Sequence, residues 1–346
     1  MTRRQLFATP LAFALRRGDL DRAVALVEKA TASGEVAAAA LHVRQGGLVI
    51  ERGFGAARTP RTVFLLASIT KPMTAAAVML LVDRRQMALA DPIARFVPEF
   101  RGGDRDRVTL RHLLTHTSGL PDMLPENVDL RRRHAPMADF VAAACRTPLL
   151  FSPGAEVRYQ SMGILLAAEA VERVARVPFR DFLRRELFEP LGMKRTSLGL
   201  GGRRITDTAL CQVSDDEDWN WNSPYWRDFG APWGGAHSTA AEVARFLDSF
   251  LEPERGVLRS ETARAMITNH NGGLNKPWGL GWMLDPGTFG KACSPRTFGH
   301  YGSTGTVAWA DPANGLRCVL LTTRPAAQSR DGLLGPVSDA VAAAAV

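Results

Sequence analysis

Lysine is scarce in this chain. Of its 43 basic residues, 38 are arginine and 5 are lysine. Arginine does not give up its proton in a protein, so any step that needs a neutral amine falls on one of those five. Tyrosine is rarer still, with 3 residues. The 4 cysteines, Cys145, Cys211, Cys293 and Cys318, stand far apart with no C-x-x-C spacing, which argues against a zinc site and leaves buried thiols as the default. No apolar run reaches the roughly 18 residues of a membrane span. The net charge of +8 is spread over scattered arginines. Their densest cluster, Arg131-Arg132-Arg133-His134, has no interleaved aromatics, so it reads as a solvated loop or helix face and not as a nucleic-acid surface. Neither an internal repeat nor a low-complexity linker divides the 346 residues, which suffice for a large core in one domain or two.

At the N-terminus, Thr2-Arg3-Arg4-Gln5-Leu6-Phe7 resembles a twin-arginine export signal, and Ala12-Phe13-Ala14 has the A-x-A form of a cleavage site. The apolar segment from Leu6 to Leu15 is short and Arg16-Arg17 ends it, so residues 1–18 read as a short or degraded leader. Export to the periplasm is the suggestion; the cytoplasm stays open. Apolar residues at 20, 23, 24, 27 and 30 then predict a helix over 19–31. Two β-rich runs, Val36–Val43 and Leu48–Phe54, flank Gln45-Gly46-Gly47 and predict a hairpin. Helical patterns follow at Ala75–Val82, Asp139–Cys145, Ser161–Val174, Phe179–Leu187 and Ser238–Leu251. Near the end, Trp278–Leu284, Thr297–Ala310 and Arg317–Thr323 predict three strands, with a last helix over 331–345. Strands at both ends must bury their faces together. The expected fold is therefore α/β in the α+β sense, with an antiparallel sheet built from both chain ends, flanked by helices, around a large helical insertion. The α/β part covers about 19–74 and 275–346, and the helical part about 75–274.

One of the five lysines stands three residues after a serine, in Ser68-Ile69-Thr70-Lys71. With 15 serines and 5 lysines, Ser-x-x-Lys is expected by chance about 0.2 times, and it occurs once. The spacing puts both side chains on one face at the start of the apolar helix, with Thr70 or Ser68 as cap and Pro72 in the first turn. A serine hydroxyl needs a base to become a nucleophile. A lysine serves only if burial or a nearby cation lowers its pKa, and the opening turn of a buried helix offers burial and dipole potential. A helix start with an incidental lysine is the competing reading of this stretch.

Two further stretches add parts. Tyr159 ends a short extended segment, and in extended backbone it points to the same side as Ser161. A phenol beside a lysine can carry protons, though a core tyrosine would look the same. Phe298-Gly299-His300-Tyr301-Gly302-Ser303-Thr304-Gly305 puts glycines inside a strand pattern, which marks either close approach of another group or a bulge. His112 and His116 lie four apart but lack the Glu of a zincin helix, so they read as structural histidines bonded to backbone. The stretch holding Trp219, Trp221, Tyr225, Trp226 and Trp233 reads either as the wall of an apolar acyl pocket or as core packing.

Together these stretches resemble the penicillin-recognising serine hydrolases: class C β-lactamases, D-alanyl-D-alanine carboxypeptidases and related esterases. Their pattern is Ser-x-x-Lys, then Tyr-x-Asn or Tyr-x-Ser, then Lys-Thr-Gly or His-x-Gly. It is met here by Ser68–Lys71, Tyr159-Gln160-Ser161 and His300-Tyr301-Gly302. LLTHTSGLPD (113–122), FSPG (151–154) and GGAHSTAAEVARFL (234–247) match as well, and the likeness covers about residues 20–345. The resemblance implies Ser68 as nucleophile, Lys71 as its activator and Tyr159 as proton shuttle. It implies Ser161 as a holder of Lys71 or substrate, Gly302 against the substrate, His300 in the pocket, and the backbone N–H groups of Ser68 and Ser303 as oxyanion donors. It implies no cofactor and no metal, a small-molecule or peptide substrate, and nothing about oligomeric state.

Two departures bear on substrate. Histidine stands where the motif lysine would hold a β-lactam carboxylate, and Ser161 stands where an asparagine would offer an amide. Both point to an esterase or peptidase-like hydrolase with weak β-lactamase activity. A non-turnover penicillin-binding-like protein and a true class C β-lactamase are the alternatives.

Overall fold

The computed structural model describes residues 16–345. The expected leader, including the twin-arginine-like start and the A-x-A site, lies almost wholly outside them. The chain opens with helix α1 (Arg17–Ala32), the hairpin of β1 (Ala38–Gln45) and β2 (Leu48–Gly55), the short β3 (Phe64–Leu65) and helix α2 (Thr70–Asp83). A helical stretch follows: α3 (Leu110–Leu114), α4 (Asn127–Arg132), α5 (Met137–Arg146), α6 (Met162–Ala175) and α7 (Phe179–Leu183). Then come β4 (Ser197–Leu198), α8 (Pro224–Phe229), β5 (Ala236–Ser238), α9 (Ala240–Leu251) and α10 (Ser260–Met266). The chain closes with β6 (Phe298–Gly302), β7 (Thr306–Asp311), β8 (Leu316–Thr322), α11 (Ala326–Ser329) and α12 (Gly335–Ala344).

The main sheet has the order β2-β1-β8-β7-β6, every pairing antiparallel. The central β1–β8 pair joins the two ends of the chain, with Leu41 opposite Leu320. This is the expected sheet. Its alternation sorts residues onto two cores. Ala39, Leu41, Val43, Val307, Trp309, Cys318 and Leu320 face the layer of α1 and α12. Ala38, Ala40, Ala308, Ala310, Val319 and Leu321 face the helical half of the molecule. Period-two alternation with both faces buried is what a sheet covered on both sides requires.

Helix α2 lies in the second core. Every residue from Thr70 to Leu81 is buried, so the helix has no polar face to solvent. Its Val, Leu and Met side chains each contribute about 1.5–3 kcal/mol by burial. That fixes the helix against α6 and α7, and with it the turn that precedes it.

Two expected strands differ. Thr297–Ala310 is not one strand but the hairpin β6–β7, turned at residues 303–305. Trp278–Leu284 forms isolated bridges, Trp278 to Met283 and Met283 to Gly299, in place of a strand. Its direction reverses at Gly281, whose φ of +85° an L side chain rarely adopts.

Candidate active site

Strand β3 ends at Leu65 and gives way to a tight 3₁₀ turn, Ala67–Ile69, that leads straight into α2. Ala67 holds φ at +49°, a costly conformation for a residue with a Cβ. It stands directly before Ser68. Neither Ser68 nor Thr70 caps α2 as expected, because neither side chain makes a cap bond. Thr70 Oγ1 instead donates to the Ala67 carbonyl (2.7 Å) and accepts the Ala236 N–H (3.0 Å).

The turn is fastened on two sides. From the β6–β7 hairpin, Thr304 Oγ1 donates to Leu65 O (2.7 Å) and Thr306 Oγ1 to Leu66 O (2.8 Å). From the segment entering β5, the Ala236 carbonyl accepts the Leu66 N–H (2.8 Å), and Thr74 Oγ1 donates to Pro232 O (2.6 Å). Gly302 sits where the hairpin meets the turn. A Cβ there would lie 2.2 Å from Leu66 O and 2.2 Å from Thr306 Oγ1. The glycine admits the backbone of the turn that leads to Ser68.

Lys71 Nζ donates to Ser68 Oγ at 2.9 Å and to the Trp233 carbonyl at 3.0 Å. The lysine is wholly buried. Burial lowers its pKa to about 7, and the charge of Asp122 opposes part of that fall. A neutral amine is thus within reach near neutral pH. Tyr159 lies beside this pair, its ring centroid 4.7 Å from Lys71 Nζ. Burial raises the phenol's pKa, and a hydrogen bond with Ser68 works the other way. The phenol therefore stays protonated and acts as a neutral donor or acceptor.

Ser68, Tyr159, Ser161 and Ser303 line one cleft of about 310 Å³, with Asp122, Trp221, Trp226 and Trp233 among the other walls. The aromatic stretch therefore both packs and walls the cleft, since Trp226 and Trp233 are also buried in the core. Ser161 does not bond Lys71. Its Oγ donates to Asp122 Oδ1 at 2.6 Å, and it is Asp122 whose charge acts on Lys71. Asp122 closes the LLTHTSGLPD run, yet no local pattern singled it out as part of the site.

His300 is placed behind the cleft. It is 2 % exposed, its Nδ1 lies 2.6 Å from the Tyr301 carbonyl, and its ring lies tilted to Tyr159 and edge-on to Trp278 at centroid distances of 5.9 and 6.2 Å. Burial first, and then Lys71, lower its pKa to about 3, so it is neutral at physiological pH. His116 packs against the same Tyr159 (4.7 Å) and Trp278 (4.6 Å), and its Nδ1 accepts the Gln160 N–H (3.2 Å). His112 closes a capping box with Thr109. Both histidines bond backbone.

The profile of the beta-lactamase family matches residues 23–341. The chain belongs to that family. It is 30% identical over 319 residues to penicillin-binding protein 4 of Amycolatopsis lactamdurans, an alignment covering 84% of this chain and 79% of the relative. Esterase EstB of Burkholderia gladioli is 35% identical over 198 residues, 52% of this chain, and the alignment spans about half (48%) of that relative's length. Among solved structures, a family VIII carboxylesterase superposes with a TM-score of 0.78 at 18% identity, over 94% of this chain and 96% of its own, which establishes the shared fold.

Proposed function

We propose that this beta-lactamase-family protein is a serine hydrolase that cleaves an ester or amide bond through a Ser68 acyl-enzyme. The observation that carries the reading is the buried 2.9 Å contact between Lys71 Nζ and Ser68 Oγ, with the lysine's pKa lowered to about 7. Neutral Lys71 takes the Ser68 proton as Oγ bonds to the carbonyl carbon. The carbonyl oxygen becomes an oxyanion, and the backbone N–H groups of Ser68 and Ser303 are its donors. When the tetrahedral species collapses, the bond to the leaving group breaks. The leaving group takes a proton relayed from Lys71 through Tyr159. Water then adds to the acyl carbon and expels Ser68 by the same steps in reverse.

Relatives named esterase, penicillin-binding protein and D-alanyl-D-alanine carboxypeptidase support the reaction class and leave the substrate open. Neutral, buried His300 in place of a lysine supports esters over β-lactams, because a charge-assisted bond of about 1.5–3 kcal/mol to the lactam carboxylate is missing at that position. The test is a side-by-side screen of 4-nitrophenyl esters, a chromogenic cephalosporin and D-Ala-D-Ala peptides, with fluorophosphonate labelling. Ester turnover with labelling at Ser68 is expected. Labelling without turnover would instead indicate a penicillin-binding-like protein, and a tenfold cephalosporin preference a β-lactamase.

A further inference from the structure

The run Arg131-Arg132-Arg133-His134 does not behave as one solvated face. Arg132 pairs with Asp129 (3.0 Å), Arg133 with Asp139 (3.1 Å), and His134 Nε2 lies 3.3 Å from Asp218. Arg131 differs. Among the described residues no carboxylate lies within ion-pair distance of it, and its Nε is buried without a hydrogen-bond partner. Its one described hydrogen bond runs from Nη2 to the Trp219 carbonyl at 2.8 Å. The guanidinium lies near two indoles, 4.0 Å from the Trp226 ring centroid and 4.8 Å from that of Trp219.

This residue lines the Ser68 cleft. It also lines an adjoining pocket of about 280 Å³, and Trp221 forms a wall of both. Two indole rings lie close to the guanidinium, and among the described residues only its Nη2 has a hydrogen-bond partner. An edge of parallel N–H donors is the geometry that takes a carboxylate in bidentate fashion. Asp215 lines the outer pocket and Asp122 the cleft, and the cleft is the space that also holds Ser68. In the cleft the resident carboxylate, Asp122, is engaged by Ser161.

We infer that Arg131 is a specificity-determining residue that binds an anionic group, a carboxylate, at the far end of the substrate's acyl chain. The inference rests on the serine-hydrolase reading of the same cleft and names its substrate class: esters or amides of acyl groups that carry a second, free carboxylate. It places the cation on the aromatic wall formed by α4 and α8, not on β6, where His300 has none to give. No bond is made or broken at Arg131; it orients the chain while Ser68 reacts.

Two measurements test it. In the first, the mono-4-nitrophenyl esters of adipic and suberic acid are compared with 4-nitrophenyl hexanoate and octanoate. Each pair shares chain length and leaving group and differs in the terminal carboxylate. In Arg131→Gln, the ratio of kcat/KM on the carboxylated ester to that on its neutral partner should fall about ten- to a hundredfold, the value of one charge-assisted bond. Arg131→Lys keeps the charge but not the fork, and should fall less. A ratio that stays constant in both variants, whatever the absolute rates, overturns the inference and leaves Arg131 as a brace of the aromatic wall.

The second needs no turnover. In Ser68→Ala, tryptophan fluorescence is titrated with adipate and with adipamide. Adipate should bind and adipamide should not, and the added Arg131→Gln substitution should abolish the response. No adipate binding, or binding that survives that substitution, overturns the inference. Should the wild type neither turn over esters nor accept a fluorophosphonate, the hydrolase reading fails by itself, and the titration still decides Arg131.

Discussion

Replacing Lys71 by methionine should abolish activity and at the same time stabilise the protein near pH 6. The burial of Lys71 is complete, and its only described hydrogen-bond partners are a hydroxyl and a carbonyl. A pKa lowered from 10.5 to about 7 means the fold bears an opposing free energy whenever the amine is protonated. At ~1.4 kcal/mol per unit this is on the order of 5 kcal/mol. Methionine fills similar space without a charge. Against the gain stands the loss of the bond to the Trp233 carbonyl, which is left buried and unpaired at a cost of about 1–3 kcal/mol. The net is a stabilisation of roughly 2–4 kcal/mol, or a rise in Tm of about 3–6 °C for a chain of this size. The sign with pH follows from the direction of the shift. The folded pKa lies below the unfolded one, so between about pH 7 and 10.5 the unfolded chain holds the extra proton and wild-type stability rises with pH. The methionine variant lacks that rise, so its advantage should be full below pH ~7 and should shrink toward pH ~10. His116 and His300, whose pKa values Lys71 helps to lower, stay depressed by burial, the larger cause, so they add little between pH ~7 and ~10. Thermal unfolding of both across that range is the assay. A variant less stable near pH 6, with a gap that does not change with pH, would refute the reasoning.

Lys71→Arg should be nearly as inactive as Lys71→Ala, since it keeps charge and loses the base; an arginine variant with a tenth of wild-type kcat/KM would show that only positive potential is needed. Gly302→Ala should cost roughly 1–3 kcal/mol of stability and about a hundredfold in kcat, because a Cβ 2.2 Å from Leu66 O must displace the nucleophile's turn; paired melting and kinetic measurements check it. His300 at about 3 should not become a cation in the range where the enzyme works. The affinity of Ser68→Ala for a carboxylate ligand should then show no increase attributable to His300 between pH ~7 and ~5, as followed by titration in His300→Gln and its parent. This corrects the expectation from an ordinary histidine, whose charge would appear below pH ~6.5.

What the sequence revealed about the site was what lay close together in it. Ser68 and Lys71 are three residues apart on one helical turn, so their contact follows from local geometry. The sheet was legible for a similar reason: alternating runs at both ends have nowhere to bury their faces except against each other. Asp122 and Arg131 were not legible. Each depends on contacts distant in sequence, Asp122 through its charge on Lys71 and its bond from Ser161, and Arg131 through its place beside Trp219 and Trp226. The arginine run even misled, because three adjacent arginines look alike until their partners are known. His300 could be named from its motif, but not its burial, and burial decides its charge. Gly302 was read as room for a ligand, whereas the group that comes close is the Leu66 carbonyl. The β6–β7 hairpin was read as a single strand because residues 303–305 interrupt an apolar pattern too briefly to register as a turn.

The central claim is that Lys71 is the base that makes Ser68 a nucleophile. The most direct measurement is the rate of covalent labelling by an uncharged fluorophosphonate against pH, with the adduct located by peptide mass mapping. The adduct should be on Ser68. The rate should rise with pH through a single ionisation near 7, as Lys71 loses its proton, and should collapse in Lys71→Arg at every pH. An adduct elsewhere, or a rate at Ser68 that is flat from pH ~5 to ~9 and survives the arginine substitution, would contradict the account.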